Sequence, residues 1–339
     1  MRYTMQDIAN EAGVSISTVS LVLNDKKARI ADKTRRKIKA IAQKHDYHPN
    51  SAAVSLSKKI SYNIGLIVPD ITNPFFANLT RLVDEKIRGL GYSTLFADSN
   101  NSGKREREIL TNMISHGVDG ILLVPSNEFF YQNAADNQKI IDDLDTPLIL
   151  VNASTDMDVT TINFDNYLGA QLATQYLIDN GHQRIAFIRG KTKYVNAPQR
   201  YKGYIDTLRK NHLQFDPRIV YPGDYSIASG YRAAPQIFQN RTITGVVSAS
   251  DMMLFGLIKW ANEHHLDAFT RFSLVGFDND PADELTKLPL TSVDQQPNLM
   301  VNAAIKQLVQ LINNDEGNYQ HIVIKPQLIV RESVQKVIK

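Results

Sequence analysis

The chain has 339 residues, 43% of them hydrophobic and 22% charged, with a formal net charge of +3 and no cysteine. That length is too great for one ordinary domain and predicts two or three compact units. The absence of cysteine excludes a disulfide framework, a thiolate metal site and a cysteine nucleophile.

No N-terminal apolar run has signal-peptide length, and no stretch approaches the ~18 apolar residues of a membrane span, so a cytoplasmic protein without a membrane partner is expected. The modest net charge conceals an asymmetry. Residues 1–60 hold 12 Lys and Arg against 5 Asp and Glu, a balance of +7, while residues 61–339 hold 26 against 30, a balance of −4. A small basic head on a mildly acidic body is the electrostatic footprint of a nucleic-acid-binding module joined to something else.

In chain order, Thr4 and Asp7 form a capping-box pattern, Ile8, Ala9 and Ala12 recur at helical spacing, and Gly13 supplies a left-handed stop. Ser15 is a second N-cap; Val19, Val22 and Leu23 give the next helix its apolar side and Asn24 closes it. Helix, tight turn and helix within about twenty residues are too short for a βαβ unit and fit a helix-turn-helix. A third helix is predicted from Asp32 to Lys44, with Ile38, Ile41 and Ala42 facing inward. Its start lacks a hydroxyl cap, since position 31 is Ala, and Asp32 is the candidate substitute.

The pattern Asp7-Ile8-Ala9, Ala12-Gly13-Val14-Ser15, Thr18-Val19-Ser20, Leu23-Asn24, Thr34-Arg35 and Tyr47-His48-Pro49-Asn50 resembles the head of lac repressor (LacI/GalR) family regulators. The resemblance implies a head over residues 1–48, a hinge helix over 49–60 and an effector-binding, dimerising body over 61–339. It also implies a DNA-contacting set: Thr4, Met5, Ser15, Ile16, Ser17, Thr18, Ser20, Leu21, Asn24, Arg29, Thr34, Tyr47, Asn50, Ala53 and Leu56. Short hydroxyls and amides such as Ser15, Thr18, Ser20 and Asn24 suit phosphate contacts, which position the protein without reading sequence. Ile16, Ser17 and Leu21 fall at the base-reading positions. Many relatives carry Arg where this chain has Leu21, so guanine cannot be taken bidentately there and a relative's operator does not transfer. In the hinge, Leu56 is the expected minor-groove wedge, and Val54 stands where a basic residue is usual.

From residue 61, short apolar runs alternate with helical patterns. Ile64–Val68, Ser93–Ala97, Gly120–Val124 and Leu148–Val151 read as one series of strands. Thr160–Asn163, Ile185–Ile188, Ile219–Tyr221, Gly245–Ser248 and Leu274–Phe277 read as a second. Helices between the strands mean parallel sheets with crossover connections. The expected fold is therefore α/β: an all-α helix-turn-helix head plus a two-subdomain, periplasmic-binding-protein-like body with doubly wound parallel sheets. The family resemblance implies subdomains at about 61–161 plus 294–322 and 162–293 plus 323–339.

Ligands in such folds sit beyond the carboxyl ends of the strands. Residues there, with positions implied by the resemblance, give Asp70, Phe75, Phe76, Asn152, Asn196, Arg200, Tyr225, Ser250 and Asp278 as the effector set. An Arg fork, a carboxylate and aromatic faces suit a sugar, sugar phosphate, nucleoside or base. Asn152 and Ser250 stand where sugar-binding relatives often have Asp and Asn. The family also implies a homodimer on a pseudo-palindromic operator and leaves room for a phosphoprotein co-effector, as some relatives use.

Two other classes fit less well. An α/β enzyme would show a G-x-G-x-x-G, a Walker A loop or a G-x-S-x-G elbow, none of which occurs, and the eight histidines are scattered. No catalytic residue, metal site or cofactor is therefore assigned. A secreted solute receptor accounts for the body and leaves residues 1–60 unexplained.

Overall fold

The computed structural model describes residues 3–23, 28–47, 60–129, 134–153, 157–313 and 319–337. They form two compact units divided at Ser61 and Tyr62.

The head contains α1 (Met5–Ala12), α2 (Ile16–Leu23) and α3 (Asp32–Lys44). Thr4 and Asp7 make both bonds of the capping box, and Gly13 takes φ 71° to end α1. Ser15 Oγ accepts from Thr18 N at 3.2 Å and so caps α2. Ile8, Ala9, Ala12, Val19, Val22, Ile38, Ile41 and Ala42 bury together as one core. Lys37 Nζ, donating to Ala12 O at 2.9 Å, ties α3 to the end of α1. The expected cap at Asp32 does not form: Ala31 is the N-cap residue, without a side-chain bond, and Asp32 lies within the first turn. There the carboxylate still faces the positive end of the helix dipole.

The body runs through β1 (Asn63–Val68), α4 (Pro74–Arg88), β2 (Ser93–Asp98), α5 (Gly103–Ser115), β3 (Gly120–Leu123), α6 (Ala134–Asp142), β4 (Leu148–Val151) and β5 (Thr160–Phe164). It continues with α7 (Asn166–Asp179), β6 (Ile185–Arg189), α8 (Ala197–Lys210), β7 (Val220–Pro222), α9 (Ile227–Gln239), β8 (Gly245–Ser248), α10 (Asp251–Glu263), α11 (Ala268–Arg271) and β9 (Ser273–Phe277). β10 (Thr291–Asp294), α12 (Pro297–Ile312), β11 (His321–Ile324) and β12 (Gln327–Ile329) complete it. The strands make two six-stranded sheets, ordered β11-β5-β4-β3-β1-β2 and β12-β10-β9-β8-β6-β7. Every pairing is parallel except that of β12 with β10. β1, β3, β4, β5, β8 and β9 are buried almost end to end, as strands covered on both faces must be. α12 covers the first sheet and packs on α4, whereas α7 covers the second and packs on α8.

Three expectations about the sheets need correction. β5, read as opening the second series with the subdomain line at 161/162, pairs with β4 and β11 in the first sheet, so the chain first crosses at Asp165. β10 was not anticipated as a strand, and the second crossing follows it at Gln295-Gln296. β11 continues to Ile324, which moves the third crossing past 322/323 to residues 325–326. A local apolar pattern identifies a strand; its sheet depends on partners such as β11, far away in sequence.

Candidate functional site

In the head, Ser15, Ile16 and Ser17 project from the start of α2 into solvent, while Thr18, Ser20 and Leu21 are half-buried. Ile16 is 44% exposed and so presents an apolar side chain to solvent at the start of α2. Ser15 Oγ lies 2.8 Å from Ser17 Oγ and 2.9 Å from Thr18 Oγ1, so the three hydroxyls form one polar cluster. Thr4 and Arg29 are exposed, and Met5, Thr34 and Tyr47 half-buried. Asn24, Asn50, Ala53 and Leu56 lie outside the described residues, as does the expected hinge up to residue 59.

In the body, a cleft of about 420 Å³ opens at the carboxyl ends of both sheets. Asp70, Phe75, Phe76, Asn152, Asn196, Arg200, Tyr225 and Asp278 all line it. Its centre is Arg200, 5% exposed on α8. Arg200 Nε donates to Asn166 Oδ1 at 2.8 Å, and Nη1 donates to Ala249 O and stands 3.8 Å from Asp278 Oδ1. The guanidinium carbon sits 4.0 Å from the centre of the Phe277 ring and 5.5 Å from that of Tyr225. Rings and carboxylate thus hold the fork in a fixed plane.

Burial pushes the Asp278 carboxyl up to about 6, against the opposing pull of Arg200 and of the Gln295 amide that donates to it. Burial likewise raises Tyr225 to about 12, and its hydroxyl has no partner among the described residues. Tyr194 stacks on Tyr225 with centroids 5.4 Å apart. Gly190 is required beneath that stack, because a Cβ there would collide with the Tyr225 ring. On the opposite wall Asn73 caps α4, accepting from Phe75 N at 3.0 Å with Pro74 at the first helical position, and so presents Phe75 and Phe76.

Among the described residues, two hydrogen bonds cross between the lobes. Val195 N donates to Asn127 Oδ1 and Asn196 Nδ2 to Asn152 Oδ1, each at 3.3 Å. Asn152, Tyr225, Asp278 and Asn279 all have positive φ, at 55°, 67°, 107° and 53°. Such backbone strain concentrates at ligand-binding positions.

Ser250 is the one effector candidate that does not line the cleft. It is buried at the N-cap of α10, where its backbone is bonded to Ser248 Oγ and its own hydroxyl has no hydrogen-bond partner among the described residues. Asn101, Asn127, Tyr194 and Gln295 also line the cleft and were missed. Asn101 and Asn127 follow β2 and β3, where the strand-end rule applied to every strand would have found them. Gln295 follows β10, which was itself unrecognised.

A helix-turn-helix head and a two-lobed body with a polar cleft define a class, the DNA-binding regulators that take a small molecule. Residues 4–50 match the bacterial regulatory proteins of the lacI family, and residues 174–334 match the periplasmic binding protein-like domain. The chain is 30% identical over 334 residues to the HTH-type transcriptional repressor PurR of Histophilus somni (strain 2336), covering 98% of this chain and 99% of that one. It is 30% identical over 336 residues to the HTH-type transcriptional regulator RegA of Clostridium saccharobutylicum, with 98% and 99% covered. Among solved structures, the lac repressor dimer bound to operator and the anti-inducer ONPF superposes with a TM-score of 0.86 at 24% identity, over 99% of this chain and 100% of that one. A transcriptional regulator CelR–cellobiose complex gives 0.72 at 26% identity, over 98% and 100%. The chain belongs to the lacI family of bacterial regulatory proteins and is a DNA-binding transcriptional regulator, not an enzyme.

Proposed function

We propose that this regulator is a cytoplasmic repressor whose homodimer holds a pseudo-palindromic operator, with affinity set by an uncharged sugar or sugar derivative in the cleft. The composition of the cleft carries the effector reading. Arg200 is the one cation among the described lining residues, and its Nη1 is already committed, whereas Asp70, Asp224 and Asp278 are acidic. A phosphorylated effector would meet net negative charge, which disfavours it. The amides of Asn101, Asn127, Asn152, Asn196 and Gln295 bring donors and acceptors to the cleft wall; several bond one another or Asp278, and a ligand's hydroxyls can exchange with those bonds. The CelR structure holds cellobiose, and an Enterococcus faecium relative, 25% identical with a TM-score of 0.71 over 81% of this chain and 100% of that one, holds ribose. A nucleoside or base is the second reading, supported by the Tyr194–Tyr225 stack and the paired rings of Phe75 and Phe76, 5.2 Å apart.

A thermal-shift screen against sugars, sugar phosphates, nucleosides and bases separates these readings. A ligand at a hundredfold excess over its Kd stabilises by about 2.7 kcal/mol. A sugar hit is expected. A nucleobase hit would establish the second reading, a hit confined to sugar phosphates would contradict the charge argument, and a flat screen would favour a phosphoprotein co-effector.

Binding is then an equilibrium between two arrangements of the lobes, with the effector favouring one and thereby changing the spacing of the paired hinges. Exposed apolar groups support the dimer. β2 is a sheet edge carrying Leu95 and Phe96, the latter 43% exposed, and Leu285 is 86% exposed beside an open groove of about 620 Å³ that includes Phe255 and Ile258. Phe96→Asp combined with Leu285→Asp is expected to yield a monomer by analytical ultracentrifugation and to weaken operator binding at least tenfold. An unchanged dimer would place the interface elsewhere.

A further inference from the structure

Outside the cleft lining, two carboxyl groups meet in the interior of the second lobe. Asp251 opens α10, Asp283 lies in the turn Pro281–Leu285, and both are 0% exposed. Asp251 accepts from Ser292 Oγ at 2.8 and 2.9 Å and from Asp280 N at 3.1 Å. Gly276 of β9 lies so close that a Cβ there would collide with Asp251 Oδ1. Neither oxygen of Asp283 has a hydrogen-bond donor among the described residues, and the group faces Asp251.

Two ionised carboxylates in that position would repel each other without solvent, and a single proton between them relieves both problems. We propose that Asp251 and Asp283 share one proton in the folded body, and that this pair clamps the Asp278–Asp280 turn, which makes Asp283 a positioning residue for the cleft carboxylate Asp278. The inference concerns the ligand-free protein and does not depend on the effector's identity.

The surroundings favour the proton. Asp278 and Asp280 add negative charge from the turn. Arg331 Nη1 stands 3.9 Å from Asp283 Oδ2, but its Nη2 donates to Asn279 Oδ1 at 2.8 Å and lies 3.4 Å from Glu284 Oε1. Arg200 is engaged on the far side by Asp278. The turn itself hangs on the same groups, since Asn279 N donates to Ser292 Oγ at 3.0 Å and Asp280 N to Asp251. Desolvation accordingly raises Asp251 well above the usual carboxylate range and Asp283 to about 7.

A carboxyl whose pKa is higher in the folded state gives stability that is fully present below the unfolded value of about 4 and is lost as pH rises towards 7. One such proton makes the unfolding constant rise up to about tenfold per pH unit across that window. Asp283→Asn replaces the shared proton by a fixed amide donor. Chemical unfolding of the full chain between pH 5 and 8 is therefore expected to be steeper in pH for wild type than for Asp283→Asn, with the variant the more stable at pH 8. Glu106, a buried carboxyl raised to about 7, and Asp278, raised to about 6, are present in both proteins, so the difference between the two profiles reports the Asp251–Asp283 pair and its coupling to Asp278. Asp283→Ala, which removes the partner carboxyl but leaves Asp251 buried, is expected to keep part of the pH dependence and so to fall between wild type and Asp283→Asn. In wild type, amide-exchange protection at residues 278–280, corrected for intrinsic rate, should fall as pH rises through 7 and stay level in Asp283→Asn. Parallel unfolding profiles would overturn the shared proton, and exchange protection insensitive to pH would overturn the clamp.

Discussion

Arg200→Ala is expected to leave operator affinity within about twofold of wild type and to lower effector affinity a hundredfold or more. Hydrogen bonds to a charged group are each worth about 1.5–3 kcal/mol, so losing two from an arginine fork to a bound ligand corresponds to roughly a hundredfold or more in affinity. Here the loss would leave Asp278 without its cation, unseat the contacts to Asn166 and Ala249 O, and uncover the face of Phe277. The head has its own core and does not draw on these contacts. Arg200→Lys keeps the charge without the planar fork and should recover only part of the affinity. Operator titration by fluorescence anisotropy, with and without effector, checks both values. A normal effector response in Arg200→Ala would remove this residue from the site.

Leu56→Ala is expected to weaken binding to the specific operator about a hundredfold while changing non-specific affinity by no more than about twofold. Non-specific binding rests on phosphate neutralisation by Lys and Arg, which the substitution leaves alone. Specific binding rests in part on bending the duplex, where an apolar wedge inserted at a base step makes further contacts reachable. Parallel titrations on operator and scrambled duplexes measure both effects, and equal losses on the two DNAs would reject the wedge.

Local physics explains which parts of this account were legible in the sequence. The capping box of Thr4 and Asp7, the stop at Gly13 and the inward positions Ile8, Val19 and Ile38 depend on neighbours within a few residues, and all occur in the structure. The buried strands and most helix limits were equally readable, because their apolar runs and caps are local signals. Arg200, Asp278 and Tyr225, placed by the strand-end rule together with the family resemblance, all line the cleft.

Long-range partners were not legible. β5 joins the first sheet between β4, its neighbour in the chain, and β11, about 160 residues away. Thr291-Ser292-Val293-Asp294 is too polar to announce a strand, although Thr291, Ser292 and Val293 are fully buried, and Gln295 was lost with it. Ser250 follows β8 as a cleft residue would, but at the N-cap of α10 it is buried away from the cavity wall. The pairing of Asp251 with Asp283 joins residues on different elements and leaves no pattern in the sequence.

The most direct test of a sequence-reading dimer is selection of bound duplexes from a random DNA library by the full-length protein, without effector and with it. Enrichment of a two-fold symmetric site is expected, with half-sites that are not those of relatives with Arg at the position of Leu21, and a change in yield when effector is added. Recovery of unenriched DNA, or of a motif lacking two-fold symmetry, would contradict such a dimer.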